Sequence, residues 1–167
     1  IYNVDWDNNS PRGKRLSELL DADDSITKEE AMAYTLDNYD ILTKPWQNAL
    51  KDAVDAVGAD KMKDAELAKT VNDFLQWDGR FMKTSTIASI VKFWRLKCQD
   101  AIDIVAIADG LPLTAADQEK MLDLMKETLA DMKAKYGSAE VPWGNITLIG
   151  RGGRYFPLES GDFGGGK

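Results

Sequence analysis

Apolar residues recur every three to four positions through the first 136 residues, and the pattern is lost after Gly137. A first helix is predicted from Ser10-Pro11, with Ser as N-cap, Pro at the first helical position and Leu16, Leu19 and Leu20 as its buried stripe. Thr27-Lys-Glu-Glu30 is a capping box and starts a second helix carrying Ala31, Tyr34 and Leu36. Pro45 opens a third, whose apolar face is Trp46, Ala49, Leu50, Ala53, Val54 and Val57, with Gly58 placed to end it. A fourth buries Leu67, Val71, Phe74 and Leu75 and ends by Gly79. Ile87, Ile90, Val91, Trp94, Cys98, Ala101, Ile102 and Val105 share one face of a fifth, which stops near Asp109-Gly110. The sixth begins at Thr114, with Asp117 at the box position, carries Met121, Leu122, Met125, Leu129, Met132 and Tyr136, and is closed by Gly137. The reading is a mainly α fold: an array of about six amphipathic helices over residues 1–136, then a tail over 137–167 that is irregular or holds a short strand within Val141–Ile149.

Composition narrows what such an array does. Nine of the thirteen glycines lie from Gly137 onward, so the tail has too little apolar content to pack by itself and is expected to lie on another surface. Ile1 at the start and the closing Gly run read as the ends of a piece of a longer polypeptide. The net charge of −7 argues against nucleic acid and against an anionic membrane surface as partners. Histidine is absent, which excludes a Ser-His-Asp or Cys-His system and a histidine-ligated metal carried by this chain. The single cysteine, Cys98, excludes an internal disulfide and falls on the buried face of the fifth helix, where it reads as a small core residue. No apolar run approaches the roughly 20 residues that span a bilayer, and the first residues do not form a signal peptide.

Candidate chemistry is sparse. Asp21-Ala-Asp-Asp-Ser25 clusters carboxylates but lacks the central Gly and closing Glu of a calcium loop, so it reads as an acidic turn before a helix. Asp73 and Asp78 flank Trp77 in Phe-Leu-Gln-Trp-Asp-Gly-Arg80, where a cap or an ion pair with Arg80 is the simpler reading than an acid–base pair. Gly150-Arg-Gly-Gly-Arg154 is a single RGG-like copy and reads as a turn. One feature breaks a local rule: Arg12, Lys14 and Arg15 crowd the first turn of the first helix, where the helix dipole favours acids. Solvation accounts for Lys14 and Arg15, and Arg12 is the one expected to meet an acceptor.

Several segments together resemble the penicillin acylase (penicillin amidase) family, which includes penicillin, cephalosporin, aculeacin and acyl-homoserine-lactone acylases. They are Ser10-Pro-Arg-Gly-Lys-Arg15 with Glu18-Leu-Leu20 and Ile26-Thr-Lys-Glu-Glu30, then Phe74-Leu-Gln-Trp-Asp-Gly79, then Lys135-Tyr-Gly137 leading to Trp143-Gly144. Their order and spacing are similar to the middle of the family's large chain. The resemblance implies an N-terminal nucleophile hydrolase, in which a serine freed by autoproteolysis attacks an amide carbonyl with its own α-amine as base. Such a site needs no histidine.

By the same resemblance, Arg12 matches the family's active-site arginine, which orients substrate and the oxyanion asparagine. Asn8, in Asp5-Trp-Asp-Asn-Asn9, is the candidate for that asparagine, although Asp stands where Asn is expected. The nucleophile is then expected upstream of Ile1. The partners implied are the remainder of the acylase (its small chain and the catalytic part of its large chain) and a small N-acyl substrate. No cofactor or metal is placed in this segment, calcium is allowed in the intact enzyme, and the location implied is periplasmic or secreted. The competing reading is a free-standing acidic helical interaction module with the tail as a flexible arm.

Overall fold

The structure is a computed structural model and describes residues 11–159. Among the described residues the fold is mainly α, with α1 Pro11–Asp21, α2 Lys28–Thr35, α3 Thr43–Val57, α4 Ala65–Gln76, α5 Thr86–Gln99, α6 Ile104–Ala108, α7 Ala115–Tyr136 and α8 Trp143–Ile146. Strands β1 Leu148–Arg151 and β2 Arg154–Pro157 then form an antiparallel hairpin, with Leu148 opposite Pro157. No helix of the described residues is long and apolar enough to cross a membrane.

Local chemistry explains most boundaries. Thr27 and Glu30 complete both halves of the capping box of α2. Asp64, Ser85 and Thr114 cap α4, α5 and α7 through side-chain oxygens that accept backbone N–H groups. Gly137 ends α7 in the left-handed conformation, with φ 79°. Gly58 also caps its helix, α3, but in a right-handed conformation.

Three expectations are corrected. The fifth helix is not continuous: α5 ends at Gln99, and Asp103 accepts hydrogen bonds from the N–H groups of Val105 and Ala106 to start α6 afresh. That cap turns the chain, so Ala101 and Val105, in phase with the apolar stripe on paper, are exposed. Val141–Ile149 holds α8 before its strand, because Trp143 is drawn into the body against Phe81 and Ala88. The stripe of α1 is not buried either: Leu16 and Leu20 are exposed and Leu19 is half-buried, because no described element covers that face.

The core lies among α3, α4, α5 and α7, where Leu50, Phe74, Trp94, Met121 and Met125 are fully buried. α7 packs chiefly on α3 and α5, so its methionines are core residues. A run of ring contacts crosses the body: Trp46–Trp94 at 5.1 Å, Trp94–Phe74 at 5.5 Å, Phe74–Trp77 at 6.1 Å, Trp77–Phe81 at 5.1 Å and Phe81–Trp143 at 5.2 Å. Most meet edge to face, the arrangement the ring quadrupole favours. The Trp94 indole N–H donates to the Met121 carbonyl at 3.0 Å, which satisfies its buried polar atom. Burial pushes the Cys98 thiol up to about 12, although Arg95 nearby opposes the shift, so the sulfur stays protonated and inert.

A buried ion pair lies within this core. Arg95 of α5 donates to Asp40, in the loop before α3, and its guanidinium sits 4.9 Å from the centre of the Trp46 ring. Asp40 also accepts the Leu42 N–H at 3.1 Å. Burial lowers the Arg95 pKa while the charge and hydrogen bond of Asp40 hold it up. Removing Asp40 takes away the carboxylate that offsets the buried Arg95 charge, a cost of about 3–5 kcal/mol. Asp40→Ala is therefore expected to lower the unfolding free energy by that amount, seen as a lower urea midpoint with an unchanged m-value, whereas Asp55→Ala, which removes the exposed Lys51–Asp55 pair at 2.7 Å, costs less than about 1 kcal/mol. Equal effects of the two variants contradict this assignment.

Candidate functional site

The basic first turn of α1 is the feature the sequence singles out, and the structure divides its members. Arg12 is exposed and meets no acceptor among the described residues. Arg15, assigned to solvent in the sequence reading, is the cation that is held. Its Nε donates to Asp37 Oδ2 at 2.7 Å, and its Nη1 lies 3.4 Å from Glu18 Oε2. Asn8 lies outside the described residues, as does Ser10.

Asp37 sits in the loop between α2 and α3, and its side chain is 10% exposed. Its second oxygen accepts Arg80 Nη1 at 2.7 Å. One carboxylate thus joins two arginines, one oxygen each. Tyr39 lies beneath both, with its ring centre 4.8 Å from the Arg15 guanidinium carbon and 5.9 Å from that of Arg80. Burial alone raises the Asp37 carboxyl, but the hydrogen bonds and charges of Arg15 and Arg80 overcome it and hold the group below the usual carboxylate range. Burial likewise works against the charge of Arg15, but the hydrogen bonds and charges of Asp37 and Glu18 together outweigh it, so its pKa moves up.

The Arg80 side of the cluster depends on the Trp-Asp-Gly turn after α4. Gln47 Nε2 donates to the carbonyls of Phe74 at 2.8 Å and Trp77 at 2.9 Å, which fastens that turn to α3. Gly79 has φ 78°, and a Cβ there would come within 2.8 Å of both Thr43 Oγ1 and the Tyr39 ring. Only glycine fits this close, left-handed position. Its carbonyl accepts the Asp40 N–H at 2.9 Å, and the Phe81 N–H donates to Asn38 at 3.1 Å. The Asp37–Asp40 segment is therefore laced to residues 79–81 along its backbone.

The remaining candidates take structural roles. Asp23 accepts the Tyr34 hydroxyl at 2.7 Å and the Ser25 N–H at 3.0 Å, so the acidic cluster is a turn tied to α2. That hydroxyl bond pushes the Tyr34 pKa up to about 12. Asp73 pairs with Lys69, and Asp78 accepts the Arg80 N–H at 3.0 Å. Neither meets the Arg80 guanidinium, which goes to Asp37 because the turn at Gly79 aims it there. Gly152 and Gly153, with φ 62° and 79°, form the hairpin turn of the RGG-like segment. No group of three or more His, Cys, Asp or Glu among the described residues is placed to hold a metal ion.

A cleft of about 440 Å³ opens beside the cluster, lined by Arg15, Leu19, Leu36, Arg80, Met82 and Glu159 among others. Its chemistry is that of binding and orientation. Guanidinium groups donate hydrogen bonds and stabilise negative charge, but they neither accept a proton at neutral pH nor attack a carbonyl. The sequence pointed to this turn but expected Arg12, not Arg15, to meet an acceptor, and it missed Asp37 and Tyr39. The two ends of the Arg15–Asp37 bond are 22 residues apart, and no periodicity links them.

Two comparisons bear on this arrangement. The family model described as penicillin amidase matches residues 1–151, which take in α1 through α8 and the Asp37 cluster. No curated protein matches the chain.

The depressed Asp37 pKa fixes the sign of a pH effect. Its stabilisation is present in full above the unfolded value of about 3.9 and is lost as pH falls through the lower folded value. Urea midpoints of wild type and Asp37→Asn are expected to differ at pH 6 and to converge as pH drops below about 3.9. A gap that widens in acid contradicts the role given to this carboxylate.

Proposed function

The chain belongs to the penicillin amidase family, and on that premise we propose that it forms the helical segment of an amidohydrolase that cleaves the amide bond of N-acyl compounds. The substrates proposed are β-lactam or acyl-homoserine-lactone type amides. The observation that carries this reading is the family match across residues 1–151, since it spans the whole helical body and the basic turn of α1. The sequence contains no histidine, which suits chemistry whose base is an α-amine.

In that chemistry a serine oxygen attacks the amide carbonyl while its own α-amine takes the hydroxyl proton. The tetrahedral intermediate collapses as the proton passes to the departing amine. Water then attacks the acyl-enzyme and releases the carboxylic acid, regenerating the serine. The nucleophile is proposed to come from another part of the enzyme, in line with the resemblance to the middle of a large chain. This segment contributes Arg12, placed to orient substrate and the oxyanion donor, with Asn8 as the candidate donor. The small chain, the catalytic part of the large chain and an exported location complete the proposal.

Exposed apolar side chains support it: Leu16 and Leu20 on α1, Met32 on α2, and Ile149, Tyr155 and Phe156 on a hairpin exposed on both faces. A free-standing module would be expected to cover such residues. The 167-residue chain alone is expected to release no acid from an N-acyl amide, while the intact enzyme does so and loses roughly 100-fold in kcat/KM on Arg12→Ala. Genuine turnover by the isolated chain, or an intact enzyme indifferent to Arg12→Ala, contradicts the reading.

A further inference from the structure

We infer that Asp37 is a positioning residue that fixes α1, and with it Arg12, to the helical body; the inference rests on the role proposed for Arg12. α1 contains no fully buried side chain, so burial of an apolar face does not set its rotation about its own axis. Among the described residues, the ion pair that joins α1 to the body runs from Arg15 to Asp37. Arg12 precedes Arg15 by three residues, about 4.5 Å along the axis and on nearly the same face. Whatever fixes Arg15 therefore fixes where Arg12 stands.

Asp37 is suited to this because its own surroundings are rigid. Its second oxygen is held by Arg80, and its neighbours are bound to the turn at Gly79. Three residues on, Asp40 is tied to Arg95 in the core. The constraint runs from the buried guanidinium of Arg95 through Asp40 and Asp37 to Arg15, and so to the first turn of α1. Tyr39 completes the seat, with its ring centre 4.8 Å and 5.9 Å from the two guanidinium carbons. Asp37 touches neither nucleophile nor substrate in this scheme; it acts through Arg15.

The test combines hydrogen exchange with kinetics on the intact enzyme, comparing wild type, Asp37→Asn and the double variant Arg15→Ala/Asp37→Asn, with Asp55→Asn as a surface control. Asp37→Asn keeps the side-chain shape and removes the charge, and unchanged exchange in α3, α5 and α7 establishes that the body is folded. The amides of α1 are expected to exchange roughly tenfold faster or more in Asp37→Asn and no faster still in the double variant. In the same variant kcat is expected to fall roughly 10- to 100-fold with KM within about threefold, since a misplaced group costs rate more than binding. Unchanged exchange in α1 overturns the inference, and so does faster exchange with full kcat. An intact wild-type enzyme that cleaves no amide contradicts the proposed function instead, and the exchange comparison then decides by itself whether Asp37 holds α1.

Discussion

The buried pair of Asp40 and Arg95 is the constraint on which the rest of the molecule is arranged. Two charges withdrawn from water are tolerated only where geometry and further hydrogen bonds compensate, and here Trp46, Leu42 and Thr43 supply that surrounding. The pair fixes the loop before α3 against α5. Because Asp40 also donates its N–H to Gly79, the same loop fixes the Trp-Asp-Gly turn. An apolar pair of the same volume would fill the space without dictating this register.

From that point the structure grades from rigid to exposed. α3, α4, α5 and α7 enclose Trp46, Phe74 and Trp94 together with Met121 and Met125 of α7. Ion pairs at the rim, such as Lys97 with Asp131 at 2.8 Å and Lys126 with Asp64 at 2.9 Å, add little stability individually but favour the observed helix order. α1 and the hairpin lie beyond the core, with apolar side chains in solvent and polar anchors at their roots. This division suits a segment whose body is self-sufficient and whose margins meet other parts of an enzyme.

Much of the fold was legible because its signals are local. Thr27 with Glu30, Thr114 and Gly137 act within one helical turn of themselves, and the stripes of α3, α4 and α7 declare their buried faces directly. The break between α5 and α6 was not legible, since the apolar phase continues through Ile102 and Val105 while a single cap at Asp103 overrides it. Periodicity in α1 announced a helix but says nothing about what covers it. The site shows the same limit. The conflict between three cations and the helix dipole marked the right turn, whereas choosing Arg15 over Arg12 as the anchored residue requires knowing that Asp37 lies opposite, a tertiary fact.

Reconstitution decides whether this segment completes an amidohydrolase. The 167-residue chain and the remainder of the enzyme, prepared separately, are assayed for amide hydrolysis alone and after mixing. The remainder is expected to be inactive by itself and to regain turnover when this chain is added, with roughly 100-fold less turnover when the added chain carries Arg12→Ala. Full activity of the remainder without this segment would contradict that expectation.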